Sequence, residues 1–243
     1  MTEPLPLLAA PLLAADLAAA NDTEAAILSR RSIRGFLPTP VPRADVEHLL
    51  DVAARAPSGT NMQPWRLIAL AGAPLDRFRD ALAGTYLAGE ETDKIEHIYY
   101  PSPLFEPYIS RRRKVGWDLY GLLGIARGET DKMKAQVANN LRFFSAPVGL
   151  ICLIDRRMKI GSWIDYGMFL QSIALAARAR GLDTCPMAVF AEFPHTIRRL
   201  LHISEDDVIV CGMAIGHEDK AVAANAIVTE RVPAQGFTRF EGF

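Results

Sequence analysis

Two kinds of hydrophobic pattern alternate along this chain. In the first, apolar residues recur every three or four positions. In RADVEHLLDVAARA (43–56), Val46, Leu49, Leu50 and Val52 to Ala54 share one broad face, which predicts a helix stopped by Pro57. PLDRFRDALAG (74–84) is a second amphipathic helix, ending at Gly84. DTEAAILSRR (22–31) reads as a helix capped by Asp22 or Thr23, with acidic residues in its first turn. ETDKMKAQVANNLRFFSA (129–146) and FPHTIRRLLHI (193–203) read as further helices. GSWIDYGMFLQSIALAARARG (161–181) is apolar on most sides, interrupted mainly by Asp165, and so predicts a helix enclosed by its own domain or by a partner subunit. In the second pattern the apolar run is short and nearly unbroken. WRLIAL (65–70), PVGLICLI (147–154) and DDVIVCGMAIG (206–216) predict buried strands. Helices come first and strands separated by helices follow, which argues an α+β fold with helices packed on a central sheet.

Residues 85–128 break this rhythm with a charged segment, a proline-broken aromatic segment and a helix from about Tyr108. They read as an excursion from the core of a single domain spanning 1–243. No internal repeat or low-complexity linker divides the chain.

Composition narrows the class. Half of the 243 residues are hydrophobic and the formal net charge is −1, a soluble globular profile with no electrostatic case for nucleic acid. Cys152, Cys185 and Cys211 are far apart among apolar neighbours, with no zinc spacing, and read as buried thiols in a reducing compartment. The apolar opening carries Glu3 and no Lys or Arg before Arg30, so it lacks the charged start of a secretory leader. No apolar span is long enough for a membrane helix, and the expected address is the cytoplasm. GxGxxG after a strand, GxxxxGK[ST], HExxH and GxSxG are all missing, and the five histidines show no paired metal spacing. Side-chain acid, base or nucleophile chemistry therefore has no evident seat, and a cofactor could supply it.

Four polar patches remain, each beside the end of a predicted element. Arg30, Arg31, Ser32 and Arg34 in RRSIRGF match phosphate oxygens well, but cations also complement a helix C-terminus. Ser58, Asn61 and Gln63 in PSGTNMQPW serve equally as turn residues. In CPMAVF, Pro186 holds its predecessor extended, either to present backbone N–H groups or as a plain edge connection. Arg231 in TERVP passes alone for a surface residue.

In this order the patches resemble the FMN-dependent nitroreductase family over nearly the whole chain: RRSIRGF, APSGTNMQPW, NNLRFFSAPVGL, CPMAVF, a strand ending near AIGHED, and a terminal ERVP. The excursion is similar to that of the nitrobenzoate and dinitroaniline reductase branch. The resemblance implies a central, mainly antiparallel sheet surrounded by helices, in an intertwined homodimer with two shared flavin sites. It implies that Arg30, Ser32 and Arg34 hold the ribityl phosphate and pyrimidine edge of FMN, with Arg31 adding to the phosphate side and Arg231 reaching the phosphate from the tail. Pro57, Ser58, Asn61 and Gln63 match the loop lent by the other subunit. Pro186, Met187, Ala188 and Val189 match the segment covering one flavin face, and Asn139 and Arg142 match further flavin-side positions. Thr229 stands where some relatives carry a second cation, for which Arg31 is the expected substitute. Ala188 stands where some carry Glu.

The implied reaction takes hydride from NAD(P)H through the flavin N5, with no side chain assigned as catalytic. A nitroaromatic is then reduced in two-electron steps, nitro to nitroso to hydroxylamine, by a ping-pong mechanism. Tyr99, Tyr100, Phe105, Tyr108, Trp117 and Tyr120 offer stacking surface for a substrate lid, or anchor the excursion. Arg111 to Lys114 face either solvent or the extra phosphate of NADPH. The same scaffold is compatible with a quinone or enone reductase, a flavin reductase, a dehalogenase, an enzyme that degrades its flavin, or a non-catalytic FMN-binding dimer. A helix-rich interaction protein with purely surface arginines is the remaining alternative.

Overall fold

A computed structural model describes residues 10–89 and 95–242. The first nine residues of the apolar opening, including Glu3, lie outside the described residues. Among those described, four strands form one antiparallel sheet in the order β1-β2-β4-β3: β1 Trp65–Ala71, β2 Val148–Asp155, β3 Asp183–Met187 and β4 Asp207–Gly216. Seven helices surround it: α1 Asp22–Ser29, α2 Arg43–Ala53, α3 Gly72–Ala88, α4 Tyr108–Leu122, α5 Thr130–Leu141, α6 Ile160–Ala179 and α7 Pro194–Leu201. The α+β reading and the antiparallel sheet match what the sequence predicts.

The unbroken apolar runs of β2 and β4 have a simple cause: both sheet faces are covered. β2 points Val148, Leu150, Cys152 and Ile154 into a core shared with Leu49 of α2 and Tyr166, Phe169 and Ile173 of α6. It points Ile151 and Leu153 into a second core with Leu82 of α3, Leu141 of α5, Ile197 of α7, Phe143 and Phe190. The alternation is the two-residue period of a strand, with both phases apolar. Trp65 stacks on Phe169 with ring centroids 4.6 Å apart, and the Tyr166 hydroxyl donates to the Arg66 carbonyl at 2.9 Å. A bulge between Cys152 and Leu153 shifts the β2–β4 register.

Four local expectations are corrected. The cap of α1 is Asn21, whose side chain accepts from the Glu24 N–H at 3.0 Å, rather than Asp22 or Thr23. That helix also ends at Ser29, so the arginine stretch is not helical. Gly84 does not end α3, which continues to Ala88 before Gly89 turns left-handed. The helix expected to reach residue 146 stops at Leu141. Phe143, Phe144 and Ser145 then take φ values of 54°, 51° and 64°, a left-handed turn that L-residues rarely adopt. Burial of both phenylalanine rings and the extended approach to Pro147 hold the chain there.

The excursion contributes α4, none of whose residues is buried. Its approach is tied down by Glu96, which accepts from Arg156 and, at 2.8 Å, from Arg198. Arg198 is buried, so losing Glu96 would leave a buried charge uncompensated, a larger cost than breaking a surface ion pair.

Candidate functional site

After α1 the chain becomes extended and runs beside β3. The Ile33 N–H donates to the Thr184 carbonyl at 3.1 Å, and Ser32 pairs with Thr184 in a parallel bridge. In an extended strand successive side chains alternate, so residues 30, 32 and 34 share one side and 31 and 33 the other. Accordingly Arg34, Ser32 and Arg30 all lie around the Cys185 thiol, while Ile33 is buried in the core. Burial pushes that thiol up to about 11 against the pull of Arg34, Ser32 and Arg30, so it stays neutral and unreactive at physiological pH.

Arg30 is half-buried, and its guanidinium lies close enough to Arg231 to feel its charge. Burial first, and Arg231 second, push the Arg30 pKa below the usual value. Neither arginine forms an ion pair with a carboxylate among the described residues. Arg231 is steadied by neutral acceptors, donating to the Thr229 hydroxyl and the Glu230 carbonyl, both at 2.9 Å. Thr229 thus positions the cation. Two like charges from distant parts of the chain thus lie within reach of each other's field with no carboxylate ion pair among the described residues, an arrangement that suits an anion with more than one acceptor oxygen.

Arg31 points elsewhere. It donates to the Asn225 carbonyl at 2.7 Å and pairs with Glu218 at 3.0 Å, on the side away from Arg30 and Ser32, beside which the resemblance places it as a phosphate-side residue. Asn225 is the residue that sequence reasoning missed. It is buried, accepts from the Arg34 N–H at 2.6 Å and donates to the Gly35 and Asp219 carbonyls at 2.8 and 2.9 Å. Its one signal in the sequence is an asparagine inside an alanine run. Asn225→Ala strands these backbone groups and is expected to cost about 1–3 kcal/mol, lowering the melting temperature by roughly 2–12 °C in a thermal melt.

The start of the chain also reaches this site. Leu12 and Arg231 form an antiparallel bridge, each donating its N–H to the other's carbonyl at 2.8 Å.

Pro186 and Met187 end the edge strand β3, where a missing N–H is tolerated, and Ala188 and Val189 open a short turn anchored by buried Phe190. Asn139 is exposed at the end of α5 and bonds Gln136, and Arg142 follows with only a long 3.8 Å approach to Asp80. Pro57, Ser58, Asn61 and Gln63 lie elsewhere. Their loop folds on itself, with Ser58 Oγ accepting from the Gln63 N–H at 3.0 Å, and is held to α6 by Asp165, which accepts from Gly59 N–H at 3.1 Å. None of these hydrogen bonds reaches the arginines. Tyr99, Phe105, Tyr108 and Trp117 are exposed on the excursion and Tyr120 is half-buried, with Phe105 on Tyr108 and Trp117 on Tyr120 packed edge to face.

A helix-flanked antiparallel sheet with Arg30, Ser32 and Arg34 set beside its edge strand defines the class, and comparison with known proteins names it. The nitroreductase family model matches residues 27–217. The chain is 42% identical over 224 residues to a 4-nitrobenzoate reductase of Pseudomonas putida, covering 92% of this chain and 97% of that protein. It is 40% identical to a chloronitrobenzene nitroreductase of Comamonas testosteroni, covering 88% and 94%. The structure of an FMN- and NADPH-dependent nitroreductase, NfnB from Sphingopyxis sp. strain HMH, superposes with a TM-score of 0.87 at 37% identity, covering 91% of this chain and 99% of that one. This chain belongs to the nitroreductase family. No helix among the described residues is long and apolar enough to cross a membrane.

Proposed function

We propose that this protein is an FMN-dependent oxidoreductase that uses NAD(P)H to reduce nitroaromatic compounds, acting as an intertwined homodimer. The observation that carries the reading is the approach of Arg30 to Arg231, neither with a carboxylate partner among the described residues, with Arg30 near Cys185 at the head of the Pro186–Val189 segment. That donor set fits a phosphate monoester, whose charge and oxygens match two guanidinium forks. The nitroaromatic specificities and FMN and NADPH dependence in the relatives' names point the same way.

Bound FMN would supply the hydride chemistry that no side chain here offers. Arg30 and Arg231 hold the phosphate, Arg34 and Ser32 face the pyrimidine edge, and Pro186 to Val189 cover one ring face. Asn139 and Arg142 complete the near wall. Pro57, Ser58, Asn61 and Gln63 are lent to the other subunit's site, which accounts for their distance from their own arginines. Exposed apolar residues, including Ile160 and Ile164 on α6 and Val228 and Phe237 in the tail, support the dimer.

The proposed balance is one nitro group, one NAD(P)H and one proton giving a nitroso group, NAD(P)+ and water, then a second equivalent giving the hydroxylamine. NAD(P)H and the nitroaromatic would use the same site in turn, so double-reciprocal initial-rate plots at several fixed nitroaromatic concentrations are expected to be parallel. The deciding experiment is anaerobic titration: the purified protein is expected to be yellow, to bleach with NAD(P)H, and to recover its colour on adding a nitroaromatic. A colourless protein that takes up no FMN overturns the reading, and a yellow one that does not bleach leaves a non-catalytic flavin-binding dimer.

Leu12→Pro removes one hydrogen bond of the bridge that seats Arg231. A bond of this kind contributes about 0.5–1.5 kcal/mol. FMN affinity is expected to fall roughly 2- to 12-fold, while riboflavin, which lacks the phosphate, binds as before; fluorescence titration reads both.

A further inference from the structure

Along α4, Ile109, Arg112, Arg113, Gly116, Trp117 and Tyr120 recur at intervals of three and four and line one groove of about 300 Å³. Three features of this groove bear on what it could hold. Gly116 sits inside a helix, where glycine costs about 0.5–1 kcal/mol relative to alanine. A Cβ there meets nothing within 4 Å, so neither a close contact nor an unusual φ calls for glycine. Arg112 and Arg113 form no ion pair among the described residues, although their neighbours in the same basic run are engaged. Arg111 lies over the Tyr108 ring at 5.8 Å, and Lys114 pairs with Asp118 at 2.7 Å. Arg112 is itself steadied over the Tyr100 ring at 5.1 Å. Finally, Trp117 and Tyr120 give the groove an aromatic wall, their rings packed edge to face at 5.9 Å.

The groove lies near the proposed cofactor segment. Burial pushes the Glu192 carboxyl up and the nearby Arg112 charge opposes this, which places Arg112 close to the turn that begins at Ala188. Tyr120 lies close enough to Tyr86 at the end of α3 to affect its hydroxyl.

We propose that this groove is a specificity subsite for a nitroaromatic bearing a carboxylate. The ring lies over Gly116 against Trp117 and Tyr120, and the carboxylate is held by Arg112 and Arg113. The assignment rests on the nitroreductase reading and goes beyond it by selecting anionic over neutral nitroaromatics. Guanidiniums hold carboxylates through paired, charge-assisted hydrogen bonds, and flat rings gain most from aromatic surfaces. The volume is at the lower end for small-molecule sites. It accommodates one substituted aromatic ring.

The test compares the holoenzyme with the double variant Arg112→Gln/Arg113→Gln and with Gly116→Leu, using 4-nitrobenzoate and nitrobenzene, each with NADPH and with NADH. The double variant is expected to lose roughly 10-fold in kcat/KM for 4-nitrobenzoate, through KM, from one exposed charge-assisted contact. Nitrobenzene is expected to stay within about twofold, a smaller change than the loss of any such contact. Gly116→Leu fills the groove and is expected to raise KM for both compounds without lowering the melting temperature. Equal losses for both compounds in the double variant, or no loss for either, overturn the proposal. So does a change confined to the NADPH-to-NADH ratio, which assigns the arginines to the nicotinamide's phosphate. If the wild type reduces neither compound, the nitroreductase reading falls on its own. Calorimetric titration of the holoprotein with 4-nitrobenzoate then decides the subsite: binding weakened in the double variant supports it, and no binding or equal binding overturns it.

Discussion

Arg231→Ala is expected to weaken FMN binding roughly 10- to 100-fold, because a charge-assisted hydrogen bond contributes about 1.5–3 kcal/mol. The structure supplies a signature that separates this loss from general damage. Burial first, and Arg231 second, push the pKa of half-buried Arg30 down, so without an anion the two cations repel each other. Removing Arg231 therefore relieves strain in the flavin-free protein, whose melting temperature is expected to hold or rise slightly. Retention of FMN moves in the opposite direction. Riboflavin affinity stays unchanged, because the lost contact is to phosphate. Fluorescence titration with FMN and riboflavin, beside a thermal melt of the flavin-free protein, measures all three. A variant that retains a full complement of FMN through dialysis removes Arg231 from the site.

Phe190→Ala is expected to have the largest effect on stability. The Phe190 side chain is fully buried, its ring centroid 4.6 Å from that of Phe143 and 6.5 Å from that of Phe78. It also presses on β4 at Gly212, where a Cβ would come within 2.5–2.8 Å of the ring. No other residue type fits at 212 without displacing that ring, so truncating Phe190 opens a cavity that the sheet cannot close. Such truncations cost about 3–5 kcal/mol, and in a chain of this length that lowers the melting temperature by roughly 6–20 °C. Because Phe190 anchors the turn after Pro186–Val189, FMN retention is expected to fall with it. Phe190→Leu, which refills part of the space, is expected to recover part of both. Unchanged melting in Phe190→Ala would show that this aromatic cluster does not hold the sheet.

The contrast between these two residues shows what was legible in the sequence. Phe190 drew notice only as the last residue of CPMAVF, a stretch left open between presenting backbone N–H groups and a plain edge connection, since nothing local marks it as the contact beneath Gly212. Arg231 looked like a surface residue until its place in the order of patches suggested otherwise. Arg31, next to Arg30 in the sequence, was placed on the phosphate side by resemblance alone, because no local signal tells which way two adjacent arginines point. The extended backbone beside β3 instead sends Arg30 and Arg31 to opposite sides, toward Arg231 and toward Glu218.

The sequence by itself determined the α+β class, the strands β1, β2 and β4, most of the helices and the family, because period, turn residues and motif order are local or linear properties. Tertiary structure alone decided the left-handed turn at Phe143 to Ser145, the role of Asn225, the bridge from Leu12 to Arg231 and the partners of each arginine. Those depend on segments as far apart as Leu12 and Arg231 meeting at 2.8 Å, and no local propensity encodes which distant groups a folded chain brings within hydrogen-bonding reach.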